Sequence, residues 1–425
     1  MFRTLRAACV RGVPAARPAP LYGRSYPDEV SRPVRVVPVS PAAVPGLTAA
    51  LAAALDGSGP AVLPVEATDT GVPTRGPDDP GEVPDDVALL VRTSGSTGTP
   101  REVLLTATAL RASAAATEAR LGGPGRWLLP LPPTHVAGLQ VLVRSVLAGT
   151  EPAVLAGPFR ADAFAAAVRR MPDADLPRYT SLVPTQVHRL LGSAEGRAAL
   201  TAFDAVLLGG AAAPAELLAA ARSAGARVVT TYGMSETCGG CVYDGAPLDG
   251  VAVDLDADGR IRIAGPVLAA GYRGRPDLDA ELFEDRDGTR WLRTSDLGRW
   301  VDGRLEVLGR ADDVLVTGGV KVPPAAVERA LAGCAGVGEV LVVGVPDPEW
   351  GQALVAVVVP SAGSPGPDLA DLRAAATAAL GGPAAPRHLV TVAALPLRGP
   401  GKPDRRGAAA LAARELGVPT TDAGS

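Results

Sequence analysis

From Val87 onward, short apolar runs stand between longer stretches in which alanine, leucine and valine recur every third or fourth position. A short apolar run bounded by turn residues predicts a buried strand, and the longer spacing predicts a helix with one face in the core. On this basis Val87–Arg92 is a strand and Ala107–Leu121 a helix. Strands at Trp127–Leu131, Glu151–Leu155, Tyr179–Val183, Ala205–Leu208 and Val228–Thr231 then alternate with helices over 136–148, 161–170, 184–191 and 214–224. Such alternation implies parallel sheets covered by helices, because each helix returns the chain across its sheet. Ahead of this region, Arg35 to Val65 reads as a helix with a flanking strand, and residues 67–86 as a polar, proline-rich loop.

After Tyr232 the pattern changes to short strands joined by Asp-Gly pairs: Asp244-Gly245, Asp258-Gly259, Asp287-Gly288 and Asp302-Gly303. These predict antiparallel hairpins. A third region opens at Gly309-Arg310-Ala311-Asp312-Asp313. It holds strands at 314–317, 339–345, 353–359 and 388–393, and helices at 323–332 and 368–380. The fold class is therefore α/β: a large N-terminal domain of mostly parallel sheets covered by helices, with a small β-rich part, and a small C-terminal α+β domain joined by a hinge. The 425 residues exceed one ordinary core. The divisions are 1–30 as a disordered extension, 31–310 as the large domain and 311–425 as a small mobile one.

Composition narrows the class. A hydrophobic content of 47% with 20% charged residues fits a soluble globular protein, and a net charge of −4 without any Lys/Arg block argues against a nucleic-acid partner. The most apolar stretch, Leu128 to Leu147, is broken by Pro, His and Arg, so no membrane insertion is expected. The four cysteines make no disulfide framework and point to the reduced cytoplasm. Cys238-Gly-Gly-Cys241 lacks a second ligand pair for zinc and reads as small residues in a loop. Residues 1–30 are basic like a transit peptide but lack a convincing amphipathic helix, so an extension or a start codon placed too early is expected. Of 41 basic residues only Lys321 and Lys402 are lysine. A lysine kept against so strong a bias toward arginine points to a need for a compact ammonium. Lys402 sits in the Pro400-Gly401-Lys402-Pro403 loop, and Lys321 is equally open to a surface reading.

The strongest chemical signal is Thr93-Ser94-Gly95-Ser96-Thr97-Gly98-Thr99-Pro100-Arg101, held between one buried strand and a second at Val103–Thr106. Alternating hydroxyls and glycines can wrap phosphate oxygens with backbone N–H groups and side-chain donors. The Gly-Lys-Ser/Thr ending of a Walker A loop is missing.

This loop resembles the phosphate-binding signature of the acyl-adenylate-forming enzymes, and further motifs follow in that superfamily's order. Gly209-Gly210-Ala211 follows a strand, then come Tyr232-Gly233-Met234-Ser235-Glu236-Thr237, Thr294-Ser295-Asp296-Leu297-Gly298, Gly309-Arg310-Ala311-Asp312-Asp313 and Pro400-Gly401-Lys402. Arg101 and Ser235 stand where the superfamily usually has Lys and Thr, keeping the charge and the hydroxyl. The resemblance implies ATP, Mg²⁺ and coenzyme A as partners of a small-molecule carboxylic acid. It gives Ser94, Gly95, Ser96, Thr97, Gly98 and Thr99 to the phosphates, and Gly209, Gly210, Ala211, Tyr232, Gly233, Met234 and Ser235 to the nucleotide. Glu236 is then the metal ligand and Asp296 the ribose partner, while Arg310 pairs with the ribose or with the hinge carboxylate. Lys402 would neutralise charge at the α-phosphate. Asp312 is the hinge, and Lys321 either contacts coenzyme A phosphates or nothing.

Within the superfamily, the stretch Leu131-Pro132-Pro133-Thr134-His135 running to Arg144, with Ser181–Gln186 and Gly318–Pro324, resembles the o-succinylbenzoate–CoA ligases of menaquinone biosynthesis in their short actinobacterial form. That resemblance implies His135 as a catalytic gate of the acyl channel and Arg144 as the partner of the acid's second carboxylate. Thr185 and Gln186 are then polar helpers. Another acyl- or aryl-CoA synthetase, or a pseudoenzyme that only binds nucleotide, stays open, as does a homodimer.

Overall fold

Arg32, near the start of the first strand, ties together the elements around it. The side chain is 7% exposed and donates to the carbonyls of Ala54, Val87 and Gly59. It ties the strand Ser31–Val39 to the helix Val44–Asp56 and the strand Val87–Ser94. In this computed structural model residues 31–66, 81–94, 100–172, 176–361, 363–398 and 402–418 are described.

The alternating half of the chain forms two sheets. The first has six strands in the order Gly271–Tyr272, Pro100–Thr106, Val87–Ser94, Ala61–Glu66, Ser31–Val39, Glu82–Pro84. Ser31–Val39, Ala61–Glu66 and Val87–Ser94 run parallel; Glu82–Pro84 and Pro100–Thr106 are antiparallel to them, and Gly271–Tyr272 is antiparallel to Pro100–Thr106. The second has seven strands in the order Ala246–Pro247, Gly239–Tyr243, Val228–Met234, Ala205–Leu208, Arg178–Leu182, Arg126–Leu129, Ala153–Val154. Its last five are parallel, and the first two add an antiparallel edge.

Local chemistry sets the helix ends. Thr106 caps Ala107–Leu121 by accepting from the Ala109 amide at 3.0 Å, and Gly122 follows the helix at φ 99°. Trp127 and Tyr179 pack fully buried between the sheet and its helices, with ring centroids 5.1 Å apart.

A five-stranded antiparallel sheet follows, with Thr289–Val301 between Arg260–Ala264, Phe283–Arg286 and Arg304–Arg310. Three Asp-Gly pairs behave as expected: Asp244, Asp287 and Asp302 have φ of 48°, 55° and 48°, each followed by a glycine with positive φ. At Asp258-Gly259 only the glycine is positive.

The smaller C-terminal domain has its own five-stranded sheet. Alternate residues of Val337–Asp347 and Gly351–Pro360 enter two cores, as a strand's two-residue period requires. Val342, Leu354 and Ala356 meet the helices Pro324–Leu331 and Leu369–Leu380, while Leu341, Val343 and Val355 meet Arg405–Glu415.

The expected class is thus borne out, with local corrections. Glu82–Pro84 is a strand inside the expected 67–86 loop, pairing with Ser31–Val39, and residues 67–80 lie outside the described part. Ala194–Thr201 is a helix that the sequence reading passed over, because its alanine-rich face shows little periodicity. Residues 1–30 also lie outside the description.

Candidate active site

The strand Val228–Met234 sits where the parallel part of its sheet meets the antiparallel edge. Open α/β sheets bind ligands beyond the carboxyl ends of their strands, where the strand order changes. The register shifts between Tyr232 and Gly233, and a Cβ on Gly233 would come within 2.0 Å of the Gly239 carbonyl oxygen. Only glycine allows the two backbones to pass this closely. On the neighbouring strand's exit a Cβ on Gly209 would lie 2.4 Å from Thr231 Oγ1, and Gly210 takes φ 80°. Ala211 is exposed beside it.

Tyr232 donates its phenol to Asp296 Oδ2 at 2.9 Å, joining two motifs 64 residues apart. Asp296 lies opposite Arg310 in the strand pair Thr289–Val301 and Arg304–Arg310, and Arg310 pairs with Asp312 at 2.9 Å. Burial raises the Asp296 carboxyl above its ordinary range, against the opposing pull of the Tyr232 hydrogen bond and the Arg310 charge. The Tyr232 phenol is pushed well above its usual range by burial and then by the Asp296 charge.

Glu236 lies in the single 3₁₀ turn Ser235–Thr237 that ends this strand. Its carbonyl accepts from the Ala269 amide at 2.8 Å, and its Oε1 accepts a hydrogen bond from the Tyr272 phenol. Thr237 Oγ1 accepts from the Met234 amide at 2.9 Å, fixing the turn. Cys238 then takes the left-handed conformation at φ 52°, and its carbonyl accepts from Gln140 Nε2 and, at 3.2 Å, from Ser113 Oγ. The two cysteines therefore do not share one loop. Cys238 makes the turn and Cys241 lies within the strand Gly239–Tyr243. Burial pushes the Cys241 thiol up to about 12 and the Cys238 thiol higher still, so both stay protonated and inert at neutral pH.

Gly95, Ser96, Thr97, Gly98, Thr99 and the side chain of Ser94 lie outside the described residues. The strands on either side of the loop pair directly, Thr93 with Arg101 and Ser94 with Pro100. Arg101 acts electrostatically on the Tyr272 phenol, and its Nε is buried without a hydrogen-bond partner among the described residues. An unsatisfied buried guanidinium nitrogen here fits an anion. No group of three His, Cys, Asp or Glu side chains that could hold a metal occurs among the described residues. A metal at Glu236 would thus draw its other ligands from phosphates and water, which is how Mg²⁺ is usually held beside a nucleotide.

His135 is the exposed N-cap of the helix Val136–Leu147, whose first turns abut the Glu236 turn: a Cβ on Gly239 would lie 3.3 Å from Gln140 Cγ and 3.9 Å from Val136 Cγ2. Arg144, two turns further on, is not brought to this place. It is 2% exposed, stacks over the Trp127 ring at 5.0 Å and reaches the Tyr243 hydroxyl at 3.5 Å. The helix rise of about 1.5 Å per residue carries it far from His135, and its Nε, like that of Arg101, is buried without a hydrogen-bond partner among the described residues.

Gln186 also differs from expectation. Its Oε1 accepts from the Val183 amide at 3.1 Å and its Nε2 donates to the Pro130 carbonyl at 3.3 Å, so the amide fixes the start of the helix Pro184–Leu191. Thr185, in the same first turn, is exposed, and Val183 lies against Gly210.

Lys402 lies in the short strand Lys402–Pro403, paired with Leu397–Arg398, and its side chain is outside the described residues. Lys321 is exposed on the hairpin of Leu315–Thr317 and Val320–Val322. The sequence reading missed Tyr272 and Gln140. The one signal for Gln140 is a polar residue in an otherwise apolar helix.

The profile described as AMP-binding enzyme matches residues 29–273, and that described as AMP-binding enzyme C-terminal domain matches residues 326–402. The chain is 49% identical over 343 residues to a probable 2-succinylbenzoate–CoA ligase of Mycobacterium tuberculosis, covering 79% of this chain and 86% of that one. The fold matches the o-succinylbenzoate CoA synthetase (MenE) of Bacillus subtilis in complex with the acyl-adenylate intermediate OSB-AMP. The TM-score is 0.66 at 26% identity, over 84% of this chain and 80% of that one. The amide bond synthetase McbA of Marinactinospora thermotolerans matches with a TM-score of 0.69 at 29% identity, over 83% and 76%. The expected superfamily is borne out: the chain belongs to the AMP-binding enzymes.

Proposed function

We propose that this protein activates a carboxylic acid with ATP and passes the acyl group to coenzyme A, and that the acid is 2-succinylbenzoate. The observation that carries the reaction class is the convergence of Gly209, Tyr232, Glu236, Asp296 and Arg310 at one sheet end, joined by the Tyr232–Asp296 hydrogen bond. The acid is assigned from the 49% identity to the probable 2-succinylbenzoate–CoA ligase.

In the first half-reaction a carboxylate oxygen of the acid attacks the α-phosphorus. The bond to the bridging oxygen breaks, and pyrophosphate leaves with its electron pair. In the second, the sulfur of coenzyme A attacks the acyl carbon, AMP leaves and the thiol proton passes to solvent. Asp296 accepts the ribose hydroxyls, held in place by Tyr232, while the Tyr232 hydrogen bond and the Arg310 charge oppose the upward shift that burial imposes on its carboxyl. Gly209, Gly210 and Ala211 take the adenine, with Gly233, Met234 and Ser235 beside the nucleotide. The loop Ser94–Thr99 and Arg101 grip the β- and γ-phosphates. Glu236 would hold Mg²⁺, which when bound supplies charge neutralisation to the triphosphate. Lys402 offsets the charge that grows at the α-phosphate. His135 gates the acyl channel from the mouth of its helix, and exposed Thr185 is placed to meet the acid. Arg144 and Gln186 support that wall from behind.

The large domain is assigned to 31–310 and the small mobile one to 311–425, with Asp312 as the hinge between two sheets. No helix among the described residues is long and apolar enough to cross a membrane. We place the reaction in the cytoplasm, where free Cys238, Cys241 and Cys334 would stay reduced.

The test is thioester formation with ATP and Mg²⁺ across 2-succinylbenzoate, benzoate and a medium-chain fatty acid, offering coenzyme A or an amine as acceptor. Selective turnover of 2-succinylbenzoate with coenzyme A is the expected result. Turnover of another acid discards the substrate, and transfer to amine alone discards the acceptor.

A further inference from the structure

Tyr272 belongs to no motif that the proposed reaction uses, yet its hydroxyl donates to the one carboxylate assigned to the metal. The residue is 4% exposed. A buried phenol needs a partner for its O–H, and here that partner is Glu236 Oε1.

Everything around the ring holds the donor still. The strand Gly271–Tyr272 pairs with Pro100–Thr106, the strand that leaves the phosphate loop, with Tyr272 opposite Val103. The Tyr272 amide donates to Asp279 Oδ1 at 2.8 Å. The ring packs 6.5 Å from that of Phe283, which the Arg290 guanidinium covers at 3.8 Å. Glu236 is held from its other end, since the Ala269 amide, three residues before Tyr272, donates to its carbonyl. The segment Ala269–Tyr272 therefore grips both the backbone and the side chain of Glu236, while pairing with the strand that carries Arg101.

We propose that Tyr272 is a positioning residue: by taking Glu236 Oε1 it restricts the carboxylate to one orientation, so that the glutamate serves the metal–triphosphate as a one-oxygen ligand. This inference rests on the reading of Glu236 as the metal holder. Glutamate has three rotatable side-chain bonds, and an unrestrained carboxylate can offer one oxygen or both. One-oxygen ligation in tight octahedral geometry suits Mg²⁺, whereas Ca²⁺ accepts both oxygens and looser shells. A donor fixed on one oxygen thus favours the smaller ion.

The experiment is calorimetric titration of ATP into the full chain with Mg²⁺, with Ca²⁺ and with chelator. It is run on wild type, Tyr272→Phe, Glu236→Gln and the double variant. Tyr272→Phe keeps the ring and its packing. The expected result is a loss of roughly tenfold in the tightening that Mg²⁺ gives to ATP binding, as for losing a hydrogen bond to a charged group. The Ca²⁺ value should change less, and ATP binding under chelator should stay as in wild type. The double variant should bind no more weakly than Glu236→Gln. A wild-type Mg²⁺ effect in Tyr272→Phe overturns the proposal while leaving Glu236 in its role, and so does full additivity in the double variant. An unchanged Mg²⁺ effect in Glu236→Gln removes the metal reading itself, and this proposal with it. Phe283→Leu, which loosens the ring and keeps the hydroxyl, should move the Mg²⁺ effect the same way by a smaller factor. Its failure to do so alongside a poorly folded Tyr272→Phe also overturns the proposal.

Discussion

The hydrogen bond from Tyr232 to Asp296 makes one side chain of the nucleotide motif responsible for another. Tyr232→Phe removes a donor to a charged acceptor, worth about 1.5–3 kcal/mol, so the KM for ATP should rise on the order of tenfold or more while the KM for the acid stays put. Steady-state kinetics with each substrate varied checks this. Because burial raises the Asp296 carboxyl, ATP affinity should fall as pH drops through a window above the ordinary aspartate range. The same shift has a stability consequence of definite sign. A carboxyl raised in the folded state costs stability at every pH above its folded pKa, and the cost vanishes below its unfolded pKa. Asp296→Asn should therefore melt at a higher temperature than wild type near neutral pH, lose that advantage in acid, and bind ATP poorly throughout. Calorimetric melting against pH reads both ends.

The sequence marked Tyr232 and Asp296 as separate motifs, and the hydrogen bond between them is what their spacing could not show. Asp296, Glu236 and the two lysines stand out by type and spacing. Arg144 and Gln186 did not yield to the same reasoning, since a charged or amide side chain in an apolar stretch looks the same whether it faces a ligand or a ring and a carbonyl. Arg144 is stacked on Trp127 and buried. Arg144→Met should lower the melting temperature, the cost of removing a buried cation contact being about 0.5–2 kcal/mol. It should leave the KM for the acid within about twofold, whereas a rise of tenfold or more in that KM would restore the carboxylate role.

The strand Val228–Met234, which leads into the Glu236 turn, shows where the hydropathy pattern stops being informative. Alternation located Val228–Thr231, but the strand runs on to Met234, because Gly233 lets the chain pass Gly239 and pair with Gly239–Tyr243. Antiparallel edges are set by such close approaches and by turn residues, which hydropathy does not report. The Asp-Gly hairpins were legible for the opposite reason, since positive φ at consecutive residues leaves a sequence mark. Gly233→Ala should separate the two strands by forcing a Cβ into the Gly239 carbonyl. The expected result is loss of ATP binding together with a lower melting temperature, measured by nucleotide titration and by calorimetry. Wild-type binding in that variant would show that the close approach is not needed.

Between the two domains the chain passes from the strand Arg304–Arg310 through the short turn Ala311–Asp313 into a different sheet. Contacts bracket this junction: Arg329 donates to the Val307 carbonyl at 3.1 Å, and Arg405 bonds Asp313 at 3.2 Å beside Glu328. A first-turn proline is compatible with a 3₁₀ or helical start but fixes φ, so Asp312→Pro should retain one half-reaction and lose the other. Pyrophosphate release and thioester formation, followed separately, read that split. The composition and order of the motifs made the two-domain arrangement legible, but nothing in them states which face of the small domain meets the large one.

The proposed reaction requires an acyl-adenylate made before coenzyme A is needed. The most direct measurement is isotope exchange between pyrophosphate and ATP with 2-succinylbenzoate and Mg²⁺, in the complete absence of coenzyme A, on wild type and Lys402→Ala. Acid-dependent exchange is expected in the wild type, with a loss on the order of 10²–10³ in the variant, as for removing one electrostatic contact to a developing charge. Exchange that requires coenzyme A, or that survives intact without Lys402, would contradict the proposed reaction.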